Sequence, residues 1–435
     1  MLELNRRALL AGGVVLPAGA ALTPTPARAA SDDDAFWRDI AAEYDVTRDV
    51  IQLENGNWGM MPRPVHAHYV EVLSRVNRET SYYARRGMGR DLMDVRSRLA
   101  ETLGVPDDEI AFTRNATEAL KALIGGYNRL TPGDAVLYAD LDYDSMQHCM
   151  DRLALRERAE VVRIALPEPA TRMRLIDAYA EAFDRHPHVR LVLLTHVSHR
   201  TGLVLPVREI AALARERGID VIVDAAHSWR QLDFALPDLD CDFVGLNGHK
   251  WLAAPLGVGV LHIRKSALDR IDHDLATASD APDVISERIH TGTLNAAAFL
   301  TVPSALAFET RIGLDRKSAR LRALRDRWVE PARAIPGIEI LTPDEPGLYG
   351  AITAFRITGQ TSMRANEAIA RQLLDRHRIF TVARGGVDRG GCVRVTPNLF
   401  NTMQEMDFLA GAIANVVRTL PDLPTPKASR DSRRR

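Results

Sequence analysis

Lys250 stands in "VGLNGHKWLAAPLGVGVLH" (residues 244–262), between a polar turn and an apolar, glycine-spaced run. A desolvated ammonium is costly and gives up its proton more readily, so a lysine here is either a loop-end surface residue or a nucleophile. Asp224 ends the run "VIVD" of "VIVDAAHS", where a carboxylate in poor solvent needs a cationic or hydrogen-bonding partner. Upstream, "FTRNATEALKALIGG" (112–126) places Asn115 as a helix N-cap, with Glu118 three residues on as its capping-box partner. The amides of Ala116 and Thr117 then face outward with the positive end of the helix dipole, which suits an anion, although simple capping accounts for the same pattern.

Together these three features are what pyridoxal phosphate needs. The phosphate takes the helix N-terminus, a carboxylate holds the pyridinium N–H, and a lysine condenses with the aldehyde. Asp224 keeps the ring protonated and electron-withdrawing in this reading, and Lys250, freed when an amine substrate takes its place, is the general base. Lys250 follows Asp224 by 26 residues, about the reach of one further strand and its loops.

These residues need a scaffold, and the chain offers an alternating one. "DAVLYAD" (134–140), "VRLVLLTHVS" (189–198) and "IDVIVDAAHS" (219–228) are near-continuous apolar runs that end in polar residues. Between them lie amphipathic stretches such as "LPVREIAALARERG" (205–218), with Ile210, Leu213 and Ala214 on one face. That texture predicts a mostly parallel sheet covered by helices, an α/β fold with its ligands beyond the carboxyl ends of the strands. Tyr143, His199, Asp224 and His227 all fall at that edge. From about residue 300 a long helical pattern (301–335) leads into short strands, "ITAFRIT", "RIFTVAR" and "CVRVTP", which predict a smaller α+β domain.

The 435 residues, 46% hydrophobic and 26% charged, are ordinary for a globular protein, and a net charge of −1 gives no global case for nucleic acid. Cys149, Cys241 and Cys392 are too few and too scattered for a disulfide framework or a cysteine-based zinc site. Arg6 and Arg7 precede an Ala/Gly-rich run (8–22) and the small-residue site "ARA" (27–29), the layout of a twin-arginine export signal, so a periplasmic or secreted location is expected, with no membrane contact beyond export. "PDLPTPKASRDSRRR" reads as a disordered basic tail. The resulting organisation is a leader at 1–29, an N-terminal segment at 30–60, a large cofactor-binding domain at 61–300, a small domain at 301–420 and a tail at 421–435.

The order and spacing of "NATEAL", "VSHRTGLVLPVREIAALARERGIDVIVDAAHS", "NGHKWLAAPLGVGVLH", "HTGTLN" and "VRVTPNLFNT" resemble the class V aminotransferases, pyridoxal-phosphate enzymes of fold type I, over roughly residues 50–415. Within them "GHKWLAAPLG" and the leader look most like the isopenicillin N epimerase-like branch. The resemblance implies that Lys250 carries the Schiff base, Asp224 meets the ring nitrogen, His227 the ring hydroxyl, and Tyr143 stacks on the ring. It implies that Ala116, Thr117, Asn247 and His249 hold the phosphate, and that Thr293 reaches it from the neighbouring subunit of a homodimer. Arg394 would pair with the α-carboxylate of an amino-acid substrate. His199 stands where relatives commonly have asparagine, near the ring hydroxyl.

Transamination, epimerisation and β-elimination all remain open at this point. A cysteine desulfurase is the first alternative, against which Cys392 lies on the expected strand two residues from Arg394 rather than on the preceding loop "ARGGVDRGG". A non-catalytic protein that retains the cofactor is disfavoured by the full lysine–aspartate–arginine set. A nucleotide-binding protein is disfavoured because "GVGVLH" lacks the third glycine and the following helix. His196 and His199 of "HVSH" would point to opposite faces of a strand, which argues against a metal. Tyr82 and Tyr83 fit either the substrate entrance or the core.

Overall fold

The computed structural model describes residues 27–419. Apart from Ala27–Ala29, which begin the first helix, the expected export leader lies outside the described residues, as does the basic tail. No helix among the described residues is long and apolar enough to cross a membrane.

Helix α1 (Ala27–Ala42), the two-residue strand β1 (Ile51–Gln52) and helices α2 (Arg63–Arg86) and α3 (Met88–Leu103) precede the main sheet. That sheet is built from β2 (Ile110–Thr113), β3 (Ala135–Ala139), β4 (Glu160–Ile164), β5 (Val189–Thr195), β6 (Asp220–Asp224), β7 (Phe243–Asn247) and β8 (Gly259–Ile263). Its spatial order is β2-β8-β7-β6-β5-β3-β4, with β4, β3, β5, β6 and β7 mutually parallel and β8 running against both β7 and β2. Helices α4 (Ala116–Gly126), α5 (Asp144–Glu157), α6 (Arg172–Arg185) and α7 (Val207–Glu216) connect the strands.

The strands read as unbroken apolar runs because both faces of the sheet are covered. Alternate residues go to opposite sides. Leu137, Val192, Leu194 and Val223 pack with α6 and α7, whereas Val136, Leu191, Leu193 and Ile222 pack with α4 and α5. Helix α7 buries Val207, Ile210, Ala211 and Ala214, with Leu213 on the flank of that face.

Short helix α8 (Ala296–Leu300) leads to α9 (Val302–Ile312) and α10 (Leu314–Arg333). The single long helix expected at 301–335 is therefore two, separated by Gly313, whose φ of +86° is a left-handed conformation that a helix cannot continue through. Strands β9 (Ile338–Ile340), β10 (Thr353–Ile357), β12 (Val382–Arg384) and β13 (Cys392–Val395) form an antiparallel sheet of order β12-β13-β10-β9. Helices α11 (Met363–His377) and α12 (Met403–Thr419) pack on it with α10. Between them β11 (Ile379–Phe380) pairs in parallel with β1, which draws Leu53 into the same core. This crossing brings the segment that follows β1 to the edge of the main sheet.

Candidate active site

Five strand ends meet at one cavity of about 720 Å3. Asp224 closes β6, Asn247 closes β7 and Thr195 closes β5, while Tyr143 caps α5 just beyond β3 and Asn115 caps α4 just beyond β2. Lys250, His249, His227, His199, Thr117 and Thr293 line the same space, and Arg384 and Arg394 reach it from the smaller sheet.

Lys250 Nζ lies 3.0 Å from His227 Nε2. Desolvation lowers the Lys250 pKa to about 8; Asp224 pulls it back up and Arg394 pushes it down. His227 is held well below its usual value, first by burial and then by Lys250, so its ring is neutral. Asp224 is buried, and burial raises its carboxyl above the usual range, partly offset by the Ala226 N–H that donates to Oδ1 at 2.9 Å and by the charge of Lys250. A buried carboxylate beside an amine of depressed pKa suits proton transfer and carbonyl condensation near neutral pH.

Backbone contacts fix the edges of the cavity. The Asp142 carboxylate, raised to about 7 by burial, accepts the Ala139 and Thr195 N–H groups at 2.7 and 2.8 Å, which ties the Tyr143 loop to β5. His199 meets the Tyr143 ring edge to face at 5.1 Å. The His249 Nδ1 lies 3.0 Å from the Val258 carbonyl, and burial lowers its pKa to about 4. Behind the lysine, Lys317 of α10 donates to the Trp251 carbonyl and, at 2.7 Å, to Glu309, which also takes Arg230.

Several expectations are modified. Asn115 Oδ1 accepts the Glu118 N–H at 2.8 Å, but the Glu118 carboxylate reaches back to the Arg114 N–H at 2.6 Å rather than to the cap itself. The Ala116 N–H is not free for an anion, because it donates to Asn247 Oδ1 at 2.7 Å. Thr117, with its N–H and hydroxyl, is left to face the cavity. Thr293 lines the cavity of its own chain, beside Asn295. Tyr83 is buried and bonded to Asp91 at 2.6 Å, Tyr82 is exposed, and neither lines the site.

Arg394 has surroundings that the sequence did not foretell. Val393 and Val395 are buried in the core as expected, and the arginine between them lines the cavity while already engaged by protein groups. Its Nη2 donates to both oxygens of Glu54 at 2.6 Å, and its Nη1 donates to the His199 carbonyl at 2.6 Å. A buried guanidinium needs such a counter-charge, and the chain supplies one from the stretch "LENGNWG" after β1. Gly56 lies so close that a Cβ would sit 2.7 Å from Arg394 Nη2, and a Cβ on Gly59 would sit 1.9 Å from the Lys250 carbonyl. Glu54, Gly56, Gly59, Arg384 and Thr195 were not anticipated as site residues. The asparagine–glycine density of that stretch and the strand-end place of Thr195 were the available hints.

The residues present fit pyridoxal phosphate. Thr195 Oγ1, His199 Nδ1 and His227 Nδ1 are buried, line the cavity and lack any partner. Such atoms are costly to leave unpaired and match the oxygen-bearing ring edge of that cofactor. No group of three or more metal-ligating side chains occurs among the described residues.

A family model for class V aminotransferases matches residues 61–406. The chain belongs to the class V aminotransferase family. Within the family it is 31% identical to the isopenicillin N epimerase of Amycolatopsis lactamdurans and 29% to that of Streptomyces clavuligerus, in each case over 395 residues, 87% of this chain and 98% of the relative. It is 25% identical over 400 residues to a probable cysteine desulfurase of Methanothermobacter thermautotrophicus, covering 87% of this chain and 97% of that one. Among solved structures the fold is shared with a cysteine desulfurase of Thermococcus onnurineus NA1, at TM-score 0.74 and 21% identity over 88% of this chain and 98% of that one. It is shared equally with a C-DES mutant that carries glycine covalently linked to its PLP cofactor, at TM-score 0.73 and 21% identity over 86% and 98%. Both place this class V chain in the α/β fold expected from its strands.

Proposed function

We propose that the protein is a pyridoxal-phosphate enzyme that moves a proton at the Cα of an amino acid or related amine, in the manner of an amino-acid epimerase. The observation that carries this reading is the Lys250–His227–Asp224 arrangement at the strand ends, with an amine pKa of about 8 in reach of a neutral imidazole. The bound cofactor supplies an electron sink for the substrate. Asp224 would hold the ring nitrogen, Tyr143 would pack against the ring, and Thr117, Asn247 and His249 would hold the phosphate. Lys250, hydrogen-bonded to His227, would take the proton from one face of Cα, and inversion would need the proton to be delivered to the opposite face by water or a second acid.

The desulfurase alternative needs a thiolate at the site. None of the three cysteines lines the cavity, and Cys392 is buried with its thiol pushed up to about 12. A thiol so protonated is a poor nucleophile. Near-full-length resemblance extends both to isopenicillin N epimerases and to a probable cysteine desulfurase, so the choice rests on the cysteines.

The reading also includes a homodimer and export by the twin-arginine route. The first is supported by the exposed apolar side chains Leu256, on the rim of the cavity, and Leu275, and the second by Arg6 and Arg7 before the Ala/Gly-rich run. The loaded enzyme is tested by incubation with single enantiomers of amino acids in D2O. Deuterium at Cα and loss of optical purity, with no keto acid or sulfide, are expected. Stoichiometric keto acid, or sulfide from cysteine, contradicts the proposal.

A further inference from the structure

Lys250 and His227 are tied together from behind as well as across the 3.0 Å between Lys250 Nζ and His227 Nε2. Helix α10 presents two consecutive side chains to the back of the site, and each takes hold of one loop. Lys317 Nζ donates to the carbonyl of Trp251, the residue after Lys250, and at 2.7 Å to Glu309 of α9. Ser318 Oγ donates to the Gln231 carbonyl at 2.8 Å, and the Gln231 side-chain amide donates in turn to the His227 carbonyl. The Gln231 amide oxygen accepts the Ala351 N–H at 2.8 Å, which fixes the orientation of that side chain. These contacts close a ring that runs from Lys250 through His227, Gln231, Ser318, Lys317 and Trp251 back to Lys250. Lys317, Ser318, Gln231 and Trp251 are buried, and none of them lines the cavity.

We infer that Lys317 and Ser318 are positioning residues, which hold the Lys250 and His227 loops at the separation the pair needs to move a proton. The inference rests on the functional reading above and deepens it. A lysine side chain is long and flexible, so its amine returns to one place only if the backbone beneath it is fixed. The Lys250 loop is not at rest by itself. Ala253 sits at φ +58°, a left-handed conformation that is unfavourable for a residue with a Cβ and persists only when its surroundings hold it. The Gly59 N–H grips this loop in front, at the His249 carbonyl and 2.8 Å, and Lys317 grips it behind. A buried ammonium is a costly donor for one carbonyl, and Glu309 makes it tenable while also pairing with Arg230. What the ammonium adds over a neutral donor is a stronger, charge-assisted hold. Helix α10 continues into the small-domain core through Leu324, Trp328 and Val329, so the ring also ties the pair to that domain.

The test reads the amine itself in the cofactor-free protein. Lys250 is acetylated with acetic anhydride across a pH series, and its labelling is followed by peptide mass analysis against the exposed Lys121. In the parent the midpoint should lie near 8, where burial holds the amine. Lys317→Met leaves Glu309 its Arg230 partner, so no charge is stranded. It should raise the midpoint by about one unit, because the freed loop lets the amine meet water. Ser318→Ala opens the same ring at its other arm and should raise the midpoint by about half a unit. The double variant should show no more than the larger single shift, since the ring is opened only once. Asn366→Ala, in α11, breaks buried hydrogen bonds to the Gln360 and Ser362 carbonyls without touching the ring. It should lower stability in denaturant and leave the midpoint where it is. Parent-like midpoints in both ring variants, or an equal shift in Asn366→Ala, overturn the inference, because α10 then supports only the fold. If Lys317→Met does not fold, Ser318→Ala, the loss of one hydroxyl, decides by itself. A pyridoxyl group trapped on another lysine sinks the functional reading instead, and with it the purpose assigned to the ring.

Discussion

The two walls of the cavity are built on opposite principles. On the main-sheet side, Thr195, His199 and His227 present buried polar atoms with no partner, and Asp224 is desolvated with one backbone donor to support it. On the small-domain side, the charges are already matched, Glu54 against Arg394 and more loosely against Arg384. Unpaired buried polar groups cost free energy, so the first wall stays under-satisfied until a ligand fills it. The second has its charges paired without one, although the Nε atoms of Arg384 and Arg394 are also buried without a partner. The cofactor wall is therefore the part expected to gain stability on loading.

Substitutions that look alike on paper should separate the walls. Glu54→Ala strands the buried Arg394 guanidinium and should lower the unfolding free energy of the cofactor-free protein by about 3–5 kcal/mol in denaturant titrations. Asp224→Asn keeps an acceptor for the Ala226 N–H and relieves a desolvated charge, so the cofactor-free protein should stay within about 1 kcal/mol of the parent. The same change should cut kcat/KM on the order of a hundred- to a thousandfold once the cofactor is loaded, the scale seen when a preorganised electrostatic partner is removed. A large stability loss for Asp224→Asn, or none for Glu54→Ala, would erase the distinction.

pH sharpens the same contrast. Lys250 condenses as the free amine, and its pKa is lowered to about 8 by burial. Below that pH the free-amine fraction grows about tenfold per unit, so the rate of cofactor uptake by the cofactor-free protein should rise tenfold per pH unit and level off above pH 8. Stability is linked with the same sign. Between about 8 and the ordinary lysine value the unfolded chain holds a proton that the folded chain does not, so this group's contribution to stability rises with pH across that window. A cofactor-free Lys250→Met variant should lack that part of the slope. The smallest effect belongs to the helix cap. Asn115→Ala loses the bond to the Glu118 N–H and should cost about 1 kcal/mol of stability, with a modest weakening of cofactor retention because Thr117 sits in the same first turn.

The main-sheet wall could be read from the chain because its logic is local. "VIVD" is a buried strand with its carboxylate at the exit, and "NATEAL" is a cap followed by an amphipathic helix. The arginine wall could not, because its decisive pair joins residues 340 positions apart. Glu54 sits in a turn-like stretch that gives no hint of a buried charge, and Arg384 lies at the start of a glycine-rich loop whose composition speaks of backbone freedom rather than binding. Arg394 illustrates the limit most clearly. The alternation of its strand told which way Val393 and Val395 point, yet nothing in that pattern revealed that the opposite side was also closed, by a segment threaded in from the first sixty residues. The helix break at Gly313 and the diversion of Glu118 to Arg114 are smaller cases, in which one backbone angle or a shift of one residue redirected a pattern that was otherwise correct.

We propose that Lys250 carries the cofactor. Reduction of the loaded protein with borohydride, followed by digestion and mass analysis of the pyridoxyl peptide, tests it directly. The modified lysine should be Lys250, in the peptide that contains "NGHKWLAAPLG", and Lys250→Ala should abolish both the adduct and the visible absorbance while the protein stays folded. A pyridoxyl group found on Lys121, Lys265 or Lys317, or an adduct that survives in Lys250→Ala, would contradict it.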